Sequence, residues 1–377
     1  MQLSFWERES FFKDLDIVVI GSGIVGLNAA LNLKLKSPKL NILVVERSPL
    51  PYGASTRNAG FACFGSISEL LDDFKSAKED QVFSLVEKRW KGLQKLISIL
   101  GEKNIGLEKF GGYELFTKDD EELFEKCADI MPYLNHKLGS VIGKEVYKIS
   151  DHKIQEFGFK NISNLIETPY EAQINTGKMM TSLLKKTREA GVTVLNGLEI
   201  KGFNDKNSEV EIDTAYGIIK TNKLLITTNG FAKQLLPELE VNPARAQVLI
   251  THPIPGLKIK GTFHYDKGYY YFRNVGDRVL LGGGRNLDFK TEETTEFALT
   301  DLVQNKLKQL LNEVILPGTP YSIDMQWSGI MGMGSVKAPI VKKTGNNTFC
   351  AVRMGGMGVA LGSLTGEEAA DLIIENF

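Results

Sequence analysis

A β-branched run, Asp16-Ile17-Val18-Val19-Ile20, stops at Gly21-Ser22-Gly23-Ile24-Val25-Gly26. No other stretch of this 377-residue chain restricts its fold so severely. The run reads as a strand buried on both faces, as in a parallel sheet. Ile24–Leu35 has helical spacing, and Asn41-Ile42-Leu43-Val44-Val45-Glu46 reads as a second buried strand. Together they form a βαβ unit of about 30 residues. A GxGxxG pattern alone is weak. Between a strand and a helix, with an acid ending the next strand, it specifies dinucleotide binding. Gly21 permits the tight turn, Gly23 lets the backbone approach a pyrophosphate, and Gly26 lets helix and strand pack closely. Ile24 and Val25 open the helix, whose free N–H groups and positive dipole end suit phosphate. Glu46 can accept both ribose hydroxyls, and it would repel a 2′-phosphate, which disfavours NADP. The motif does not separate FAD from NAD.

The rest of the composition narrows the partners. The 45 Lys and Arg nearly balance 46 Asp and Glu, with no long basic run, so no nucleic-acid or acidic-membrane partner is expected. Three cysteines, Cys63, Cys127 and Cys350, form no CxxC, and the four histidines lack metal-ligand spacing. Neither a disulfide framework nor a metal site is expected. The first 16 residues have no apolar signal core, and Ile17–Leu33 is interrupted by glycines and asparagines. The expectation is a cytoplasmic protein without stable membrane insertion. The aromatics Phe5, Trp6, Phe11 and Phe12 read as a packing arm rather than a membrane foot.

After the βαβ unit, Arg47–Ser66 is a long irregular stretch, unusual in a compact domain unless it binds something. Helices are expected at 67–78, 81–100 and 119–134, with a strand at 111–117. A helix over 176–190 and strands near 192–194, 210–212, 217–220 and 223–228 follow. The segment 247–281 is β-rich, 293–314 is expected to be helical, and a strand at 347–352 leads through Gly355-Gly356-Met357-Gly358 into a last helix. The predicted fold class is α/β, α+β overall: a Rossmann-like dinucleotide domain (1–80, 165–240, 325–377) carrying an inserted β-rich substrate domain (81–164, 241–324).

The segment Gly53-Ala54-Ser55-Thr56-Arg57-Asn58-Ala59-Gly60-Phe61 resembles a loop of the D-amino-acid oxidase-like superfamily, which includes glycine oxidase, sarcosine oxidase and the γ-glutamylputrescine oxidases. The resemblance continues at Ala172-Gln173-Ile174-Asn175, Thr228-Asn229-Gly230, Trp327-Ser328-Gly329 with Pro339, and Arg353-Met354-Gly355-Gly356-Met357-Gly358-Val359. These markers lie in order along nearly the whole chain. The resemblance implies extended FAD with its isoalloxazine at the domain junction. The implied contacts are Arg47, Ser55, Thr56, Arg57, Asn58, Ala59, Gly60, Ile200, Thr228, Gly230, Gly355, Gly356, Met357, Gly358 and Val359. Arg57 serves pyrophosphate or flavin on this reading, and a surface ion pair on the alternative one. Some relatives hold flavin through Cys or His. Cys63 and Cys350 do not align with such ligands, so noncovalent FAD is expected.

The resemblance also implies oxidation of a C–N bond by hydride transfer to flavin N5, with O2 or a carrier as electron acceptor. In Gly268-Tyr269-Tyr270-Tyr271-Phe272-Arg273, alternate residues share a face, so Tyr269, Tyr271 and Arg273 face one way and Tyr270 and Phe272 the other. One face roofs the flavin and the other packs. Arg285 and His264 are weaker candidates. Arg353, just before the flavin turn, is expected to anchor a substrate carboxylate through a bidentate fork. Relatives acting on free amino acids commonly carry another arginine soon after the Trp-x-Gly motif. Here that place reads Ile330-Met331-Gly332-Met333, which suits a longer or N-alkylated amine. A small amine or amino acid is the expected substrate. A 2-hydroxy acid or polyol, or a non-enzymatic flavin module, are the alternatives.

Overall fold

The computed structural model describes residues 3–377. Its first sheet is built outward from the strand Leu15–Ile20. That strand pairs in parallel with Ile42–Glu46 on one side and Gly217–Ile226 on the other. Thr193–Asn196 and Thr348–Val352 extend the parallel core, and Ile340–Lys343 closes one edge antiparallel. Parallel strands need covering on both faces, and Ile17, Val18, Val19, Leu224 and Leu225 are accordingly buried. Helix Ile24–Lys36 lies on one face, with the last helix, Gly358–Ile374, against it. Gly366 makes this contact possible, because a Cβ there would stand 2.8 Å from the Val25 carbonyl oxygen.

The second sheet has the strand order Ile323–Met333, Asn242–Thr251, Arg278–Gly283, Tyr270–Val275, Thr262–Tyr265, Gly112–Phe116, Asn164–Thr168 and Lys148–Ile149. Only the Thr262–Tyr265/Gly112–Phe116 pair is parallel. Its core is aromatic: Phe263 and Phe272 stack at 4.7 Å. Helix Asp301–Leu310 covers it, burying Val303, Leu307 and Leu310.

Several expectations shift. The helix expected over 81–100, inside the substrate segment, runs Glu79–Leu100, and its Leu93, Leu96 and Leu100 belong to the core of the first sheet. Its Gly92 lies so close to the last helix that a Cβ would meet the Ala360 oxygen at 2.0 Å. The helix expected from 293 starts only at Asp301, and a single π turn over Leu311–Ile315 ends it. The packing arm is mostly a surface helix: Phe5, Trp6 and Phe11 are exposed, and Phe12 alone leans on the core. Among the described residues no helix is long and apolar enough to cross a membrane.

Candidate functional site

The glycine turn is fixed from three sides. Gly21 sits at φ +107°, and Thr227 Oγ1 donates to the Ile20 oxygen at 2.8 Å, pinning the turn to the neighbouring strand. Gly26 packs directly beneath, where a Cβ would stand 2.0 Å from the Gly21 oxygen. Gly23 leads into the helix with extended backbone, and Ser55 Oγ accepts from Ile24 N at 2.9 Å. Glu46 ends its strand and accepts from Ser22 N at 3.3 Å and Ser48 N at 3.1 Å.

A cavity of about 590 Å³ runs from this turn to the second sheet. Gly21, Gly23, Ile24, Val25, Glu46, Arg47, Ser55, Arg57, Asn58, Ala59, Gly60, Ile200, Thr228 and the turn Gly355–Val359 border it, as do Tyr269 and Tyr271. The cradle fits an extended dinucleotide: Gly23 presents bare backbone, Glu46 a ribose acceptor, and the buried Thr228 Oγ1 on the wall has no hydrogen-bond partner. Arg47 stacks over Phe231 at 4.1 Å. Arg57 lies over Tyr52 at 4.5 Å, and its Nε donates to the Ser328 oxygen. The Trp327 indole returns a bond to the Arg57 oxygen at 3.0 Å. The Arg57 loop and the Trp-Ser-Gly segment are thus one structural unit.

Other expected residues support the cavity without bordering it. Gly26 packs under the turn, and Thr56 donates to the Pro51 oxygen at 2.5 Å. Gly230 lies under the strand carrying Met331, where a Cβ would meet the Met331 oxygen at 2.5 Å. Arg273 was expected on the substrate face. It is buried, and Nη1 donates to the oxygens of Gly60 and Ile174 at 3.0 and 2.8 Å. Burial lowers its pKa to about 10, with Glu108 opposing. Arg273 therefore ties the second sheet to Gly60, which sits at φ +74°. Tyr271 does face the cavity, and burial raises its phenol to about 12, leaving it a neutral donor.

Arg353, expected to anchor a substrate carboxylate, does not border the cavity. Its backbone is left-handed at φ +65°, which swings the side chain away from the cavity. Nε donates to the Ala338 oxygen at 3.0 Å and Nη1 to Glu240 Oε2 at 3.2 Å. A guanidinium so engaged is not the carboxylate anchor. Asn229 holds this corner, its Oδ1 accepting from Arg353 N at 3.1 Å and Met354 N at 3.2 Å.

Sequence reasoning missed Glu69, Asp72 and Lys337, which border the far end of the cavity with Cys63, His264, Met331 and Met333. Lys337 Nζ lies 3.0 Å from Glu69 and 2.6 Å from Asp73, and the buried Arg89 reaches Glu69 at 3.3 Å. Burial would raise the Glu69 carboxyl, but Arg89 and Lys337 outweigh it and hold it at about 2. A carboxyl depressed in the fold stabilises above its unfolded pKa, and that contribution is lost as pH falls toward the folded value. The full shift corresponds to about 3 kcal/mol, and the partial exposure of Glu69 reduces it to roughly 1–2 kcal/mol. Urea midpoints should place wild type above Glu69→Gln by that margin near pH ~6. The gap should narrow by more than half near pH ~3. A gap independent of pH would contradict the ion-pair assignment.

The comparisons with known proteins agree with this geometry. The family model described as "FAD dependent oxidoreductase" (DAO) matches residues 16–372. The chain is similar to the probable oxidoreductase OrdL of Haemophilus influenzae, 22% identical over 95% of this chain and 83% of the relative. It is also 22% identical to the mitochondrial L-2-hydroxyglutarate dehydrogenase of Bos taurus, over 88% of this chain and 74% of that one. In fold it resembles the glycine oxidase of Bacillus cereus, with a TM-score of 0.77, 18% identity, and coverage of 96% of this chain and 98% of the other.

Proposed function

The chain belongs to the DAO family of FAD-dependent oxidoreductases, and from that premise we propose that it oxidises a C–N bond of an amine carrying an apolar or N-alkyl group. The observation that carries this reading is the far end of the cavity. Met331 and Met333 stand where an arginine would mark a small free amino acid, Arg353 is engaged elsewhere, and the Glu69 charge is met by Arg89 and Lys337. That lining suits a neutral amine with an apolar stem. Bound FAD supplies the hydride acceptor.

The chain's own residues orient and desolvate. Gly21, Gly23 and the start of the first long helix would hold the pyrophosphate, and Glu46 the ribose. The positive end of the last helix, at Gly358, would stabilise negative charge developed on a bound flavin. Tyr271 and Phe61, with ring centroids 5.8 Å apart, wall the cavity and exclude water. A substrate amine enters neutral and loses hydride from its α-carbon. Location in the cytoplasm is part of the same proposal.

Similarity to a 2-hydroxy-acid dehydrogenase favours a second reading, oxidation of a C–O bond. Anaerobic mixing separates the two. Secondary amines should bleach the flavin absorbance, while 2-hydroxy acids and polyols should leave it yellow. Bleaching by hydroxy acids alone would reject the amine reading.

A further inference from the structure

The strand Thr262–Tyr265 places His264 opposite Tyr271 and beside the short strand Phe61–Ala62, which Cys63 follows. Glu171 comes from the turn preceding Ala172–Gln173, the partner of Phe61–Ala62. One atom from each of Cys63, Glu171 and His264 falls in a group whose members all lie within 4.8 Å of one another, and Cys63 and His264 border the cavity. We propose that Cys63 Sγ, His264 Nε2 and Glu171 Oε2 bind one divalent cation of the Zn2+ type, with its fourth position open to the cavity.

Four observations carry this. His264 Nε2 is buried and makes no hydrogen bond among the described residues, so a lone pair or proton is left unmet in the protein interior. Its 3.6 Å separation from Glu171 Oε2 is long for a hydrogen bond. It does match the edge of a tetrahedron about 3.4 Å long, as bonds of about 2.1 Å to nitrogen and oxygen require. The other Glu171 oxygen is already committed: Oε1 accepts from Phe64 N at 3.1 Å and Gly65 N at 3.4 Å, which aims Oε2 at the histidine. The Phe61 ring meets His264 edge-on at 5.3 Å and 90°, fixing the imidazole plane. Such support of the ligating groups is what a metal site needs around it.

The charges also close. A thiolate, a carboxylate and a neutral imidazole sum to two negative charges, which a divalent cation neutralises inside the protein. Binding transfers the Cys63 thiol proton to solvent. A mixed nitrogen, oxygen and sulfur set favours Zn2+ over Mg2+ or Ca2+. Three protein ligands with an open position is the arrangement of reactive rather than purely structural zinc.

The test uses flavin-loaded protein, first treated with a chelator and then titrated with Co2+. The expected result is one equivalent bound, with a thiolate-to-cobalt band and tetrahedral ligand-field bands beyond the flavin absorption, displaced by Zn2+. Cys63→Ser should abolish the thiolate band, and His264→Ala and Glu171→Gln should each weaken Zn2+ binding at least tenfold in chelator competition. The flavin content of each variant reports its folding. If the variants fail to fold, the wild-type spectrum decides. Absence of stoichiometric binding, or bands unchanged in Cys63→Ser, overturns the proposal. Neither readout passes through flavin reduction, so its failure leaves the amine reading untouched.

Discussion

Gly26→Ala should yield protein purified largely without flavin, with affinity for added FAD weakened by roughly 100-fold or more. The added methyl would stand 2.0 Å from the Gly21 carbonyl oxygen and 2.6 Å from Thr227 Oγ1. Neither neighbour can yield. The first is backbone of the turn itself, and the second is held by Ile20 and Gly21. The helix must therefore move away from the strand, and the turn opens. Overpacking of this kind costs about 1–3 kcal/mol in a core, and more when backbone is the obstacle. Here the loss falls on the geometry that receives the pyrophosphate. Gly177→Ala is the matched control. It lies early in the helix Thr176–Glu189, where the nearest atom to a Cβ is Asn175 Oδ1 at 3.4 Å, so flavin content should be unchanged and stability equal or slightly higher. Flavin-to-protein absorbance ratios and FAD titration of the stripped proteins check both. Wild-type flavin retention by Gly26→Ala would refute the packing argument.

Arg245→Ala should destabilise the fold by about 3–5 kcal/mol, read as a lower denaturant midpoint. Arg245 and Glu292 form a two-pronged pair, Nε to Oε2 at 2.7 Å and Nη2 to Oε1 at 3.0 Å. Their side chains are only 5% and 2% exposed, so truncating the arginine strands a carboxylate in the interior. Gln247 Nε2 also donates to Glu292 at 2.8 Å, but one amide cannot replace a guanidinium. Arg245→Ala/Glu292→Leu should recover much of the loss, because the stranded charge is gone. No recovery in the double variant would show that the cost lies in packing rather than in charge.

What the sequence revealed about the fold followed range. The glycine turn, Glu46 and the last helix were legible because each is dictated by a local rule: a positive φ, a strand end, a periodic apolar face. The Arg57 loop was legible through resemblance, and its partner, Trp327, through the same resemblance 270 residues away. Arg353 was misjudged because its bond to Glu240 spans 113 positions and depends on a left-handed residue that the sequence does not signal. Lys337 and Glu69, 268 positions apart, carried no signal at all, since ordinary surface charges look the same until the chain folds them together. Arg273 had the correct strand, but alternation alone could not distinguish a residue reaching into the cavity from one reaching past it to Gly60.

The passage of the chain between its two sheets has a consequence for assembly. The first sheet takes strands from 15–46, 193–226 and 340–352, and the second from 112–168 and 242–333. Neither half is continuous, so a ribosome releasing the chain from its N-terminus cannot complete the first sheet until Thr348–Val352 has emerged. The first sheet must wait, exposed, for residues 340–352, while the second can close once Ile323–Met333 has emerged. Loop closures of this span are slow, and unfinished strand edges invite association with other chains. A truncation that removes only the last strand and helix should therefore leave an aggregating polypeptide rather than a smaller enzyme, and early supply of cofactor during expression should help only once the C-terminus is in place.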